Sequence, residues 1–114
     1  MPAKDPRLYL IHIRECCARI LDYTGGIEST WPSVPVVHDA VCRNLEIIGE
    51  AARRFDDAFR EAHAEIPWRA MTDVRNILIH AYDRVAAEII VDIVRRDIPP
   101  LLASVNGILG EDNG

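Results

Sequence analysis

Apolar side chains recur every three or four residues along most of this chain, the spacing that one buried face of an α-helix requires. The first such stripe is formed by Leu10, Ile13, Cys17 and Ile20. Asp5 followed by Pro6 is typical of a helix start, since aspartate caps the first turn and proline fits its first position. The pattern therefore predicts a first helix from Pro6 to about Tyr23, ended by Thr24-Gly25-Gly26.

The same period predicts a long second helix. Ile27 to Pro35 carries two prolines and several small residues around Trp31, which indicates a loop. From Val36 or Val37 to about Ala62 the helical spacing returns. Its inward positions are Val37, Ala40, Val41, Asn44, Leu45, Ile48, Ala52, Phe55 and Phe59. Its polar flank, with separations that permit ion pairs along one face, holds Arg43, Glu46, Glu50 and Arg53.

A third helix is predicted after a break at His63–Ile66. It begins at Pro67 or Trp68 and runs through Tyr82. Trp68 and Trp31 are both expected to be core or interface anchors, because neither has an aromatic neighbour at a spacing that suggests a base-stacking platform.

Two prolines divide the C-terminal part of the chain. A fourth helix is predicted from about Val85 to Arg96. Pro99 and Pro100 must then kink or interrupt it, because neither can donate the i to i−4 hydrogen bond. A short fifth helix is possible from Leu101 to Leu109, and the residues from 110 to 114 are expected to form a polar tail.

Helical patterns thus account for nearly all of the chain. No segment has the alternating pattern of a strand, and no internal repeat is visible. We therefore predict an all-α, antiparallel four-helix bundle in one domain over residues 1–114, with a possible short fifth C-terminal helix.

Composition and charge narrow the class of protein. The chain has 114 residues, a net charge of −5, and 49% apolar residues, which is typical of a globular domain. The negative charge disfavours a broad nucleic-acid-binding surface, so any favourable field for RNA must be local. No apolar run reaches the ~20 residues of a membrane span, and no signal peptide is visible, so we expect a cytoplasmic protein. Three cysteines without a framework spacing predict reduced thiols.

Candidate chemistry is concentrated in the stretch from Val74 to Tyr82. Within this apolar helical run lie Arg75, Asn76 and His80. His80 is suited to acid–base catalysis, because an imidazole exchanges a proton near neutral pH. Arg75 is suited to binding a phosphate through its planar guanidinium. Together the two would suffice for attack of a ribose 2′-hydroxyl on the adjacent phosphate without a metal.

The geometry of a helix constrains this hypothesis. Asn76 and His80 are one turn apart and share a face, whereas Arg75 and His80 differ by about 140° around the axis. The guanidinium would have to swing toward His80, or a symmetric dimer would have to place two copies of the pair around one groove. From spacing alone, a solvated arginine and a hydrogen-bonded histidine remain the simpler interpretation, as does an aromatic packing role for Tyr82.

Other side-chain groups are weaker candidates. Two His–Cys pairs with a spacing of four could each present zinc ligands on one helical face, but they lie on or next to apolar stripes; they are His12 with Cys16 and His38 with Cys42. Glu46 and Glu50 have the spacing of paired carboxylates in a di-metal bundle, but the matching Glu-x-x-His motifs are absent. We therefore predict no metal and no cofactor. Asn44 points among apolar residues, where a buried amide needs hydrogen-bond partners, and we expect it to help brace the active cleft or a dimer contact.

The sequence resembles the HEPN superfamily, and within it the HepT-like toxins. The resemblance rests first on the arrangement Arg75, Asn76, three apolar residues, His80, one residue and Tyr82, which is similar to an R-x(4)-H-x-Y motif. Residues 39–52 are similar to the second helix of the family, and residues 65–68 resemble the approach to its third helix. Residues 9–13, 23–24 and 97–99 match its first and last helices.

The resemblance implies a function. It implies the toxin of a toxin–antitoxin pair, a metal-independent endoribonuclease that acts as a homodimer with Arg75 and His80 as catalytic residues. It also implies a cognate antitoxin of the minimal nucleotidyltransferase (MNT) type, which transfers AMP to Tyr82. Asp73 departs from the family pattern, where glycine is common; its carboxylate could pair with Arg75 and weaken the site. The alternatives are a non-catalytic helical subunit that binds a nucleotidyltransferase, and a structural bundle with a decayed site.

Overall fold

The computed structural model describes residues 5–25, 31–81 and 85–113, with the side chains of 111–113 excepted. These ranges form six α-helices and contain no strand: α1 (Pro6–Tyr23), α2 (Pro35–Ala52), α3 (Asp57–Ala62), α4 (Trp68–Ala81), α5 (Ala87–Asp92) and α6 (Ile98–Asn113). A 3-10 turn precedes α2 at Trp31–Ser33, and a π-helical segment joins α5 to α6 at Ile93–Asp97. The prediction of an all-α bundle is confirmed.

The bounds of α1 agree with the sequence prediction. The Asp5 carboxylate accepts a hydrogen bond from the Arg7 backbone N–H at 2.9 Å, and Pro6 occupies the first turn. At the other end, the Thr24 hydroxyl donates to the Ile20 carbonyl at 2.8 Å. Gly25 follows with a φ of 62°, a conformation in which a side chain would be strained. The capping residues therefore set both ends of this helix.

The prediction of one helix from residue 36 to residue 62 is wrong. The chain leaves α2 after Ala52, and the Asp56 carboxylate starts α3 by accepting a hydrogen bond from the Phe59 N–H at 2.8 Å. Arg60 Nη2 donates to the Ala52 carbonyl at 3.2 Å, which satisfies a group that the helix end leaves open. The turn also buries Phe55, whose ring centroid lies 4.8 Å from that of Trp68. Local capping and an aromatic cluster outweigh the continuous apolar period.

The C-terminal prolines interrupt the helix, as predicted, but the interruption has an unexpected form. In a regular α-helix, Pro99 and Pro100 would leave the carbonyls of Arg95 and Arg96 without donors. The backbone instead widens into π-helix just before them, and α6 starts at Ile98 so that both prolines lie in its first turn. The fifth helix predicted from the sequence corresponds to α6, which is longer than predicted. The residues from 110 onward, which were expected to form a polar tail, continue this helix through Asn113.

The core lies where α1 packs against α2 and α6, and α2 packs against α4. Its fully enclosed side chains, all at 0% exposure, include Leu10, Ile13, Ile20, Val41, Val94 and Val105. Trp31 and Trp68 are also buried, which confirms their role as core anchors. None of the described helices is long and apolar enough to cross a bilayer.

The three cysteines are free and buried, as predicted. Burial raises the pKa of Cys17 to about 12 and that of Cys42 to about 11, since a thiolate is poorly solvated in the core. The pKa of Cys16 is raised for the same reason. All three therefore remain protonated at neutral pH and act as small apolar side chains.

The contact of α2 with α4 depends on Gly49. A methyl group at this position would collide with the Arg75 Cβ and would lie 2.6 Å from the Met71 carbonyl oxygen. Both obstacles belong to the α4 backbone or its first side-chain atom, so neither can rotate away. The absence of a side chain at 49 is what allows the two helices to approach this closely.

We expect Gly49→Ala to lower the free energy of unfolding by about 1–3 kcal/mol, because the added methyl overpacks the α2–α4 contact. Urea denaturation followed by circular dichroism measures the change. Gly107→Ala is the matched control, since a methyl there would meet nothing within 4 Å and alanine has the higher helix propensity. Equal stability of the Gly49→Ala and Gly107→Ala proteins would contradict this account of the contact.

Candidate active site

Arg75 occupies the face of α4 that meets α2. It follows Met71, a buried residue, by four positions and therefore continues the same helical stripe. Its side chain is 21% exposed, and its Nη2 lies 3.2 Å from the Glu50 Oε2 on α2. Its Nη1 donates a 2.9 Å hydrogen bond to the Asn76 Oδ1. The guanidinium is thus fixed on two sides.

Part of the Arg75 hydrogen-bonding capacity is unused. The Arg75 Nε is shielded from solvent and has no hydrogen-bond partner among the described residues. A guanidinium has five N–H donors, and here the ion pair and the amide contact involve only Nη2 and Nη1. Because Nη1 and Nη2 each carry a second N–H, Arg75 keeps donors for an anion beside its present contacts.

The Glu50 carboxylate is shared among three arginines. Its Oε2 lies 3.5 Å from Arg53 Nη1 and 3.2 Å from Arg75 Nη2, and its Oε1 lies 3.4 Å from Arg54 Nη2. One negative charge thus faces three positive charges, which leaves a local excess of two. A chain with a net charge of −5 can in this way present a small field that attracts a phosphate.

Arg75 opens onto a cavity of about 450 Å³ bounded by α1, α2 and α4. Its charged side chains are Arg43, Glu46, Glu50, Arg54 and Arg75. α1 contributes Tyr9 and His12, and the apolar part of the wall consists of Ile47, Ala51 and Ile79. A cavity of this size lies in the range of small-molecule pockets, about 300–1,000 Å³.

His80 lies on a different face of α4. It is exposed, in the last turn of the helix, and is not among the side chains that line the cavity. Ile79, four residues after Arg75, takes the cavity position instead. Asn76 is exposed and one turn before His80, so these two share a face, as the helical period predicts. The Arg75–Asn76 hydrogen bond therefore connects the cavity face of α4 to the His80 face.

The remaining residues singled out in the sequence are Tyr82, Asp73 and Asn44. Tyr82 lies outside the described residues. Asp73 is exposed, and the carboxylate paired with Arg75 in the described chain belongs to Glu50. Asn44 is buried as predicted, but its Nδ2 donates to the Ala40 carbonyl at 2.9 Å, so its observed bond braces α2 itself.

The polar flank of α2 forms ion pairs as predicted. Arg43 Nη1 lies 3.7 Å from Glu46 Oε2, and Glu50 pairs with Arg53 at 3.5 Å. In the His38–Cys42 pair, the imidazole Nε2 is 3.6 Å from the thiol sulfur. Within the described ranges, no three His, Cys, Asp or Glu side chains come together as metal ligands would.

Comparison with known proteins gives the family. The model of the "Ribonuclease HepT-like" family matches residues 13–108, which is most of the chain. The chain belongs to the HepT-like ribonuclease family. The resemblance expected from residues 75–82 and from the flanking helices is thereby confirmed, and the protein is a ribonuclease.

Individual relatives are consistent with this assignment. The HepT-like chain is 37% identical over 110 residues to a "Putative RNase" of Caldanaerobacter subterraneus subsp. tengcongensis, covering 96% of this chain and 98% of that protein. It is 48% identical over 62 residues to a "Probable ribonuclease HepT" of Thermococcus cleftensis, covering 54% and 56% of the two chains. No solved structure matches the chain.

Three features of this HepT-like site were missed from the sequence. The sequence predicts ion pairs for Glu50 within the polar flank but does not connect it to Arg75. It does not single out Gly49, and it does not connect Tyr9 and His12 to Arg75. A signal existed for Gly49 alone, since a glycine inside a long helical pattern often marks a close backbone approach. The other two depend on how α1, α2 and α4 cross, which the helical period does not specify.

On the expectation from the sequence that Arg75 is catalytic, Glu50→Gln should lower kcat for RNA cleavage at least threefold, because Arg75 loses the carboxylate that orients its guanidinium. The pair is partly exposed, so the free energy of unfolding should change by less than about 1 kcal/mol. Cleavage of a labelled RNA and urea denaturation provide the two readouts. Glu15→Gln is the control, since Glu15 pairs with Arg19 at 3.6 Å on an exposed face of α1. An unchanged kcat in Glu50→Gln would show that Arg75 needs no orientation from α2.

Proposed function

We propose that this HepT-like ribonuclease is a metal-independent endoribonuclease that acts through Arg75 and His80, and that it is the toxin of a toxin–antitoxin pair. The observation that carries the proposal is the path from Glu50 through Arg75 to Asn76, which directs a guanidinium toward the face where His80 is exposed. A phosphodiester at that edge of α4 could contact both side chains.

The reaction follows from the two groups. His80 takes the proton from a ribose 2′-hydroxyl, whose oxygen forms a bond to the adjacent phosphorus. The bond from phosphorus to the 5′-oxygen breaks, and that oxygen receives a proton from the imidazolium. Arg75 neutralises the charge that accumulates on the phosphoryl oxygens. The products are a 2′,3′-cyclic phosphate and a 5′-hydroxyl, and no step requires a metal.

A homodimer fits the angular separation of Arg75 and His80. Because the two residues lie about 140° apart on one helix, a two-fold axis beside α4 would bring His80 of one copy toward Arg75 of the other. Ile77, which lies between Arg75 and His80 in α4, is 52% exposed. Burial of this apolar side chain would favour contact between two copies.

Regulation is proposed to act at Tyr82, two residues after His80. Transfer of AMP from ATP to its hydroxyl by an MNT-type nucleotidyltransferase antitoxin would form a phosphodiester and release pyrophosphate. The new group adds negative charge and bulk where an RNA phosphate has to approach. Adenylylation would therefore inactivate the toxin.

We expect Arg75→Ala and His80→Ala each to lower RNA cleavage at least 100-fold, since loss of one charge-stabilising donor costs about 10²–10³ and general acid–base catalysis contributes about 10²–10⁴. Cleavage by the wild type should be unchanged by excess EDTA. The measurements are RNA integrity and growth after expression of the chain alone, together with cleavage by the purified protein. Arg69→Ala on the same helix and His63→Ala are matched controls, because both residues lie outside the site.

The nuclease proposal would be contradicted if the wild type and all four variants cleaved equally well. Loss of cleavage in EDTA, restored by a divalent cation, would contradict metal independence alone. Circular dichroism of each variant separates loss of chemistry from loss of fold.

We expect the chain to gain the mass of one adenylyl group when it is incubated with ATP and a cognate MNT-type nucleotidyltransferase, and to lose ribonuclease activity in proportion. Intact-mass spectrometry measures the gain. Tyr82→Phe should gain nothing, because the acceptor hydroxyl is missing, whereas Tyr23→Phe, at an exposed tyrosine of α1, should be modified like the wild type. Modification that persists in Tyr82→Phe would place the acceptor elsewhere.

A further inference from the structure

We infer that the cavity bounded by α1, α2 and α4 is a subsite for one nucleotide of single-stranded RNA, adjacent to the phosphate that Arg75 contacts. The inference rests on the proposed function for the position of the cleaved bond. It adds a substrate-binding role for residues of α1 and α2, which lie outside the Arg75–Tyr82 motif.

The size and position of the cavity support this role. Its volume of about 450 Å³ is within the range of pockets that enclose small ligands. Arg75 lines it directly, whereas His80 does not. A strand whose scissile phosphate lies at the Arg75–His80 edge would therefore have a neighbouring nucleotide within reach of the cavity.

The charges along its rim suit a phosphate. Arg43 is 71% exposed and is held by Glu46 at 3.7 Å, while Arg54 shares Glu50 with two other arginines. Each guanidinium keeps N–H donors beyond these contacts. Among the lining groups three arginines face two glutamates, so the rim is positive in a protein that is negative as a whole. Anionic RNA would be attracted here more than to the rest of the surface.

The α1 wall suits a base. The ring of Tyr9 is half-buried and makes an edge contact with Phe55, with the centroids 5.8 Å apart, so it is fixed in place. His12, one turn along α1, is exposed and supplies ring nitrogens that can hydrogen-bond to a base or a ribose. Unpaired bases stack on such aromatic rings, and a duplex cannot insert a base in this way. The combination favours a single strand.

The test is binding of a short, mixed-sequence 2′-O-methyl oligonucleotide, which cannot be cleaved because its 2′-oxygens carry no proton. Tyr9→Leu should weaken binding about 5-fold to 150-fold, the range for loss of one stacked base, whereas Tyr9→Phe should bind like the wild type. Tyr23→Leu, at an exposed tyrosine on the same helix, is the control and should not weaken binding. The thermal stability of each variant reports whether its fold is intact.

The arginine rim is tested through salt dependence. Arg43→Gln should make the slope of log K against log salt shallower by about 0.7, the value for one single-strand phosphate contact. Arg95→Gln removes the same charge at an exposed position outside this cavity and should leave the slope unchanged. With a cleavable RNA, Arg43→Gln should raise KM, whereas Arg95→Gln should not.

Several outcomes would overturn the subsite. One is that Tyr9→Leu binds the oligonucleotide no more weakly than Tyr23→Leu does. Another is that Arg43→Gln has the same salt slope as Arg95→Gln. A third is that a free mononucleotide competes as well as the oligonucleotide does, which would indicate a small-metabolite pocket. Cleavage that depends on Arg75 and His80 but not on Tyr9 or Arg43 would leave the proposed function intact and refute this inference. Binding that depends on Tyr9 and Arg43, without cleavage that depends on Arg75 and His80, would support the subsite and refute the proposed function.

Discussion

The close approach of α2 to α4 at Gly49 is the contact on which the candidate site depends. Because position 49 has no side chain, α4 lies against α2, and the Arg75 Cβ lies close to Gly49 while its guanidinium reaches Glu50. The packing of α2 against α4 thereby holds the Arg75 guanidinium in a defined position. Gly49, which allows the helix contact, and Glu50, which pairs with Arg75, are consecutive residues of α2. A change in the crossing angle of α2 and α4 would therefore move Arg75 as well.

The distribution of charge explains how an acidic chain can act on RNA. A surface with an overall charge of −5 repels nucleic acid at a distance, whereas the arginines around Glu50 attract a phosphate over a few ångströms. On the proposed function, such a protein would gain little from long-range steering and would select its substrate by shape at close contact. A flexible strand that can enter a cleft satisfies this condition better than a rigid duplex does.

Periodicity and capping predicted most of the fold. The stripe on α1, the cap at Asp5 and the restart after Pro67 are local signals, and the structure follows them. The division of the second helix was not predicted, because the cap at Asp56 competes with an apolar period that continues through Phe59. Arg75, Asn76 and His80 were identified as candidates from residue type, spacing and family motif. The partner of Arg75 and the cavity beside it were not, because they depend on crossing angles between helices, which a one-dimensional pattern does not contain.

The π-helical segment at Ile93–Asp97 constrains the length of the chain as well as its composition. A π turn holds one residue more than an α turn, and each residue of a regular helix rotates the chain by about 100°. Loss of one residue here would leave only enough chain for an α turn, in which Pro99 and Pro100 would face the carbonyls of the preceding turn without a donor. Relatives with this architecture should therefore tolerate substitutions in the segment more readily than a single-residue deletion.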